Sequence, residues 1–170
     1  KDATFAPKSS PLWEKLRSSA KAKSARILFV EGEDPRVLSA AAYLQNHALA
    51  RPILVGDPAQ ILETARRIGV DGERFERMDP AQDGQRDLFC QKLFERRKAK
   101  GLTEEQARAL ILDPLYFGVM ALSAGMAEGL VGGAVRTTAD TVRAGFAGLG
   151  LAPTADMAFG AFLMECPHAG

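Results

Sequence analysis

Cysteine is scarce in this chain. Cys90 and Cys166 are its only two, too few for a disulfide framework or a cysteine-built metal cluster. Sparse thiols of this kind fit a reducing cytoplasm. Cys90 falls within a helical pattern and reads as a buried, inert thiol. Cys166 has His168 beside it, but no third group is present to orient a base, so the pair carries no nucleophile argument. An excess of charge of either sign is also missing: 22 basic and 21 acidic side chains leave a net charge of +1. No strong basic field exists to draw nucleic acid or a membrane surface, and both are discounted as partners. Long apolar runs are absent too. Runs such as Ile27–Val30 and Ala158–Met164 fall far short of a membrane span. The first residues, Lys1-Asp2-Ala3-Thr4-Phe5, lack the apolar stretch of a secretory signal. No internal repeat, low-complexity linker or P-loop is visible. No Gly-x-Gly-x-x-Gly follows Val30, which argues against a nicotinamide-binding Rossmann protein.

The 170 residues are 46% hydrophobic and 25% charged, enough apolar material for a real core. Short apolar runs alternate with helical periodicity, the pattern of an α/β fold. A first helix is expected from Ser10-Pro11 through Leu12, Leu16 and Ala20. Arg26–Val30 and Pro52–Val55 then read as buried strands. Asp34-Pro35 and Asp57-Pro58 follow them as helix starts, Asp accepting from free N–H groups and Pro supplying the first helical residue. Two strand–helix units in succession predict a mostly parallel sheet. From Asp71 to Arg86 the pattern weakens to a short edge element and a loop. A helix is expected over about 85–100, ended by Gly101. A capping box over Thr103–Gln106 launches another, and Asp113-Pro114 a third, apolar on most sides and therefore buried. Leu130–Gly133 reads as a strand, Thr137–Asp140 as a helix start, and Ala158–Leu163 as one more buried strand. The chain thus divides into a helical segment over 1–24 and an α/β domain over 25–170, a three-layer sandwich around a mostly parallel sheet.

Three segments could carry chemistry. In the first, Gly132 and Gly133 lie at a strand end, where small residues let a ligand approach the backbone. Thr137 and Thr138 open the next helix, whose free N–H groups and positive dipole end suit an anion. Arg143, a turn further on, could add a forked contact to phosphate. The same residues also describe a plain capped helix with small residues chosen for close packing, and pattern leaves the two readings open. The second segment is Arg96-Arg97-Lys98-Ala99-Lys100, a basic helix end that suits the negative end of the dipole. The third, Glu31-Gly32-Glu33-Asp34, presents three carboxylates. They read as caps and surface charge in preference to metal ligands, since no histidine or further carboxylate cluster joins them.

Several of these segments together resemble the phosphate acetyltransferase/phosphate butyryltransferase family. They are Phe29-Val30-Glu31-Gly32-Glu33-Asp34-Pro35-Arg36-Val37, Arg97-Lys98-Ala99-Lys100-Gly101-Leu102-Thr103 and Asp113-Pro114-Leu115-Tyr116-Phe117-Gly118. Gly125 to Ala134 and Thr137-Thr138-Ala139-Asp140-Thr141-Val142-Arg143 complete the set, collinear from Arg26 onward. Two departures stand out: Ala144-Gly145-Phe146 where the family has Pro and a Leu-containing run, and Glu128 where Asp is usual. The resemblance implies two α/β domains of the isocitrate/isopropylmalate dehydrogenase-like kind, with the active site in the cleft between them. It implies reversible transfer of an acetyl group between CoA and phosphate, with no metal or organic cofactor, in a cytoplasmic homodimer. The expected small-molecule partners are CoA, acetyl phosphate and phosphate. Arg97 and Arg143 match positions that bind the anionic substrates, and the Thr137–Thr138 region matches the loop that faces the acyl phosphate; Gly132 and Gly133, ahead of it, are expected to contact substrate with them. Family chains are about twice this length, and their acid/base aspartate, serine and partnering arginine match nothing here. The expectation is an N-terminal part of the fold, without catalytic residues of its own and inactive alone. The competing expectations are an acetyl-CoA-sensing domain like that at the C-terminus of some malic enzymes, and a phosphate butyryltransferase. The intact Thr137–Arg143 motif favours the enzyme.

Overall fold

The computed structural model describes residues 10–161 and 163–164. Helix starts are set by one recurrent device. Asp34, Asp57 and Asp113 each accept N–H groups of the turn that follows, with Pro at the first helical residue. They launch α2 (Pro35–Asn46), α3 (Pro58–Ile68) and α6 (Pro114–Ser123). Ser10 does the same for α1 (Pro11–Lys23), which buries no residue. Thr103 and Gln106 close a reciprocal capping box on α5 (Glu104–Ile111). The basic helix α4 spans Arg86–Arg97, then tightens into a 3-10 turn over Lys98–Lys100 that Gly101 ends at φ +88°. The last helix, α7 (Thr138–Gly148), starts from Thr137.

Among the described residues, four parallel strands stand in the order β3-β2-β1-β4: Glu76–Met78, Arg51–Val55, Arg26–Phe29 and Gly129–Val131. The short element between Asp71 and Arg86 is thus β3, at one edge. Leu28 pairs in register with Ile53 on one side and Leu130 on the other. Along β1 and β2 the side chains alternate between faces, as a pleat requires. Leu28, Val30, Ile53 and Val55 pack with α4, α5, α6 and α7, whereas Phe29 and Leu54 pack with α2 and α3. Both faces are covered, so the fold is a three-layer α/β/α sandwich. Within the first layer Phe89 of α4 meets Phe117 of α6 edge-on, centroids 5.2 Å apart. Cys90 is buried nearby, and burial pushes its thiol pKa up, in keeping with an inert thiol. Cys166 and His168 lie outside the described residues.

One expected strand is absent. The described residues of the Ala158–Leu163 run form no strand and are exposed, Phe159 at 87%; Phe162 lies outside the described residues. An apolar run becomes a strand only where a sheet edge accepts its N–H and C=O groups, and the described residues of this run pair with neither edge.

Candidate functional site

The chain builds the sheet outward from β1 through β2 to β3, then crosses to place β4 on the other side of β1. The order therefore reverses between β1 and β4, and a ligand crevice is expected at the carboxyl ends of those two strands. Glu31 follows β1 there, and Gly132 to Arg136 follow β4. The Glu31 carboxylate accepts four consecutive main-chain N–H groups: Gly133 (3.0 Å) and Ala134 (2.7 Å) on Oε2, Val135 (2.8 Å) and Arg136 (2.7 Å) on Oε1. Burial raises the Glu31 pKa, but the four N–H groups outweigh it and hold the carboxyl below its usual range. The loop does bind an anion, and the anion is the protein's own side chain.

Neighbouring contacts lock the same loop. Arg36 Nη2 donates to the Ala134 carbonyl at 2.7 Å while its guanidinium forks onto Asp34. Arg136 pairs with Asp113 at 2.8 Å, tying the loop to the start of α6. Glu33 accepts the Asp57 N–H at 2.9 Å. All three carboxylates of Glu31-Gly32-Glu33-Asp34 thus have protein partners, and their work is structural. Among the described residues no group of three or more His, Cys, Asp or Glu could hold a metal ion.

The glycines of the loop have separate causes. A Cβ at Gly132 would come within 2.9 Å of Val30 Cγ2, so that position is kept small by strand packing. Gly133 sits at φ +105°, which side-chain-bearing residues rarely adopt. Thr137 caps α7, its Oγ1 accepting the Asp140 N–H and donating to Asp140 Oδ2 at 2.7 Å. The Asp140 carboxyl lies below its usual range, chiefly through the Thr137 hydroxyl and then through Arg143. Thr138 is the first residue of α7 and is exposed. Arg143 pairs with Asp140 at 2.9 Å, its side chain 66% exposed, which leaves the rest of its guanidinium fork toward solvent.

Arg97 lies elsewhere along the same helix pair. The helices α4 and α7 pack together, and at their C-terminal ends a cleft of about 680 Å³ opens. Arg96, Arg97 and Lys100 line one side; Phe146, Ala147, Leu149, Gly150 and Leu151 line the other. Arg143 does not line it, but stands on α7 three and four residues before Phe146 and Ala147, on one flank of the helix. Pattern could not join the basic end of α4 to the Arg143 helix; packing does. The cleft, cationic on one wall and apolar on the other, is suited to a ligand with anionic groups and an apolar arm. Sequence reasoning missed the Glu31 nest. The one signal for it was a carboxylate two residues after β1, with a glycine-rich loop directly after β4.

Fold and site define a doubly wound, parallel α/β protein with an anion-suited cleft between the C-terminal ends of α4 and α7. A model of the phosphate acetyl/butaryl transferase family matches residues 11–170, and the chain belongs to that family. It is similar to the phosphate acetyltransferase of Clostridium acetobutylicum, 38% identical over 156 residues, covering 92% of this chain and 47% of that protein. Among solved structures it resembles the EutD phosphotransacetylase from Staphylococcus aureus, with TM-score 0.76 and 36% identity, over 85% of this chain and 44% of that one. A phosphotransacetylase from Streptococcus pyogenes matches with TM-score 0.73 and 35% identity, over 78% and 40%. The chain spans about half the length of the relatives it matches.

Proposed function

We propose that the protein is a phosphate acetyltransferase, interconverting acetyl-CoA and phosphate with CoA and acetyl phosphate. The observation that carries the reading is the cleft between α4 and α7: Arg96, Arg97 and Lys100 face an apolar wall in a chain of this family. In the transfer a CoA thiolate attacks the acetyl carbonyl, the carbon–sulfur bond forms, and the carbon–oxygen bond to phosphate breaks. Negative charge passes to the departing phosphate, and cations held in place stabilise it without reorganising. Arg97 and Arg143 are the residues assigned to the anionic groups, with Thr138 at the open start of α7. Gly132, Gly133 and Thr137 shape the loop that leads into α7, since the Gly133 amide and the Thr137 hydroxyl already have partners.

The thiol also needs a base. None of the cleft-lining residues is one, and His47 is stacked on Tyr43 at the end of α2. As the family resemblance implies, the reading places the acid/base group outside these 170 residues. It includes a homodimer, a cytoplasmic setting and no cofactor beyond CoA itself. No helix of the described residues is long and apolar enough to cross a membrane. The test is acetyl-CoA formation from CoA and acetyl phosphate, followed at the thioester absorbance, for the full-length protein and for residues 1–170 side by side. Butyryl phosphate serves as the competing donor. Transfer by the full-length protein and not by residues 1–170 is expected. A preference for butyryl phosphate, or acetyl-CoA bound without transfer, would replace the reading with one of its competitors.

A further inference from the structure

Four successive N–H groups converging on one point are an unfavourable arrangement unless an anion fills it, because their dipoles repel and each donor loses water. Here they converge on Glu31, with two donors on each carboxylate oxygen. The segment Gly132-Gly133-Ala134 has little side-chain packing to hold it, and Gly133 lies at φ +105°. Glutamate is joined to it from 102 to 105 residues away in sequence, across the β1–β4 pair. Directly after the nest the chain turns, through the cap Thr137, into α7, which bears Thr138 and Arg143.

We propose that Glu31 is a positioning residue: as a built-in anion it fills the amide nest after β4, fixes the approach to α7, and so sets where Arg143 meets an anionic substrate. The substrate part of this rests on the proposed acetyl transfer; the hold on the loop does not. A permanent internal carboxylate also leaves the substrate's phosphate to side-chain cations, since the loop amides are taken. The opposite arrangement, in which substrate displaces Glu31 and occupies the nest, predicts tighter anion binding once the carboxylate is removed.

The experiment compares wild type, Glu31→Gln and Glu31→Ala in the full-length protein. Glutamine keeps one acceptor oxygen but turns an NH2 toward two of the N–H donors, so it is the milder variant and is read alone should Glu31→Ala not fold. Hydrogen exchange by mass spectrometry of the segment 129–143 is measured with steady-state kinetics in acetyl phosphate. Exchange of the loop amides should rise roughly tenfold or more, and the KM for acetyl phosphate about tenfold, with kcat within about threefold of wild type. Unchanged exchange would overturn the proposal. So would a KM that falls, which is the displacement result, or exchange that rises with KM and kcat unmoved. A wild-type protein that makes no acetyl-CoA counts against the proposed function alone. Exchange then decides the hold on the loop, and CoA affinity by calorimetry takes the place of KM, with the same direction expected.

Discussion

Arg97 and Arg143 are held differently, and the difference bears on what each should do. Arg143 is oriented by Asp140 at 2.9 Å, whereas Arg97 lines the cleft without an ion pair among the described residues. Replacing Arg143 with alanine in the full-length enzyme removes a charge-assisted contact of about 1.5–3 kcal/mol. Catalytic efficiency should fall roughly ten- to a hundredfold, with little change in melting temperature, because the Arg143 side chain is largely exposed. Arg97→Ala should act in the same direction, and loss of efficiency with neither variant would remove both from the site. A second expectation concerns pH. Asp34, held low by Arg36, and Glu31, held low by its four N–H groups, have folded-state pKa values below their unfolded ones. Their stabilisation is complete above the unfolded values and is lost as pH falls through the folded ones. Melting temperatures of wild type and Glu31→Gln should therefore differ at neutral pH and converge below about pH 4. A gap that stays constant down to acid would show that charge on Glu31 is not what stabilises the loop.

The element that organises the site is α6. Its apolar surface runs nearly all round, and it is enclosed by α4, α5 and α7 and by the sheet, with Phe117 and Met120 almost wholly buried. Two glycines set its distances. A Cβ at Gly118 would collide with Val30 Cγ1, and one at Gly148 of α7 would stand 2.5 Å from Val119 Cγ1. Gly118→Ala should push the helix off β1 and destabilise by about 1–3 kcal/mol, as overpacking does. Phe117→Ala should cost about 3–5 kcal/mol through the lost aromatic pair and the cavity left behind. At its N-terminus, Asp113 both caps the helix and pairs with Arg136 of the loop. Asp113→Ala should therefore cost about 1–2 kcal/mol and also loosen the loop. Urea unfolding at constant slope measures all three. A neutral Gly118→Ala would mean that α6 and β1 can separate without penalty.

Among the described residues, exposed large apolar side chains concentrate from the end of β4 onward, from Val131 through Phe146 and Leu151 to Met164. The basic cleft opens on that same stretch, through Phe146, Leu149 and Leu151. Positioning a thiol against an acyl phosphate requires groups on both sides of the reacting atoms and exclusion of water. The cleft between α4 and α7 supplies cations and an apolar surface but, among the described residues, no carboxylate or histidine to take the thiol proton. Residues 1–170 alone are accordingly expected to bind CoA weakly and to transfer acetyl at a rate far below that of the full-length protein. Comparable rates in the thioester assay would show that these residues hold the complete catalytic apparatus.

Much of the fold is written in local signals. The Asp-Pro starts at Asp34, Asp57 and Asp113, the Thr103–Gln106 box and the glycine stop at Gly101 each act within a few residues, so they are legible without the structure. The period-2 runs of β1 and β2 are legible for the same reason. What remained undecided depends on partners far apart in the chain. The strand order, the meeting of the α4 end with α7, and the capture of the Gly133–Arg136 amides by Glu31 all arise from packing. The run Ala158–Leu163 shows the converse: its composition suits a buried strand, but a strand exists only where an edge receives it. The glycines and helix start of the loop suited an anion and a plain capped helix alike, and pattern left both open. That its anion is Glu31 could be decided only by β1 and β4 lying side by side, because a nest of amides takes whichever carboxylate the tertiary structure brings to it.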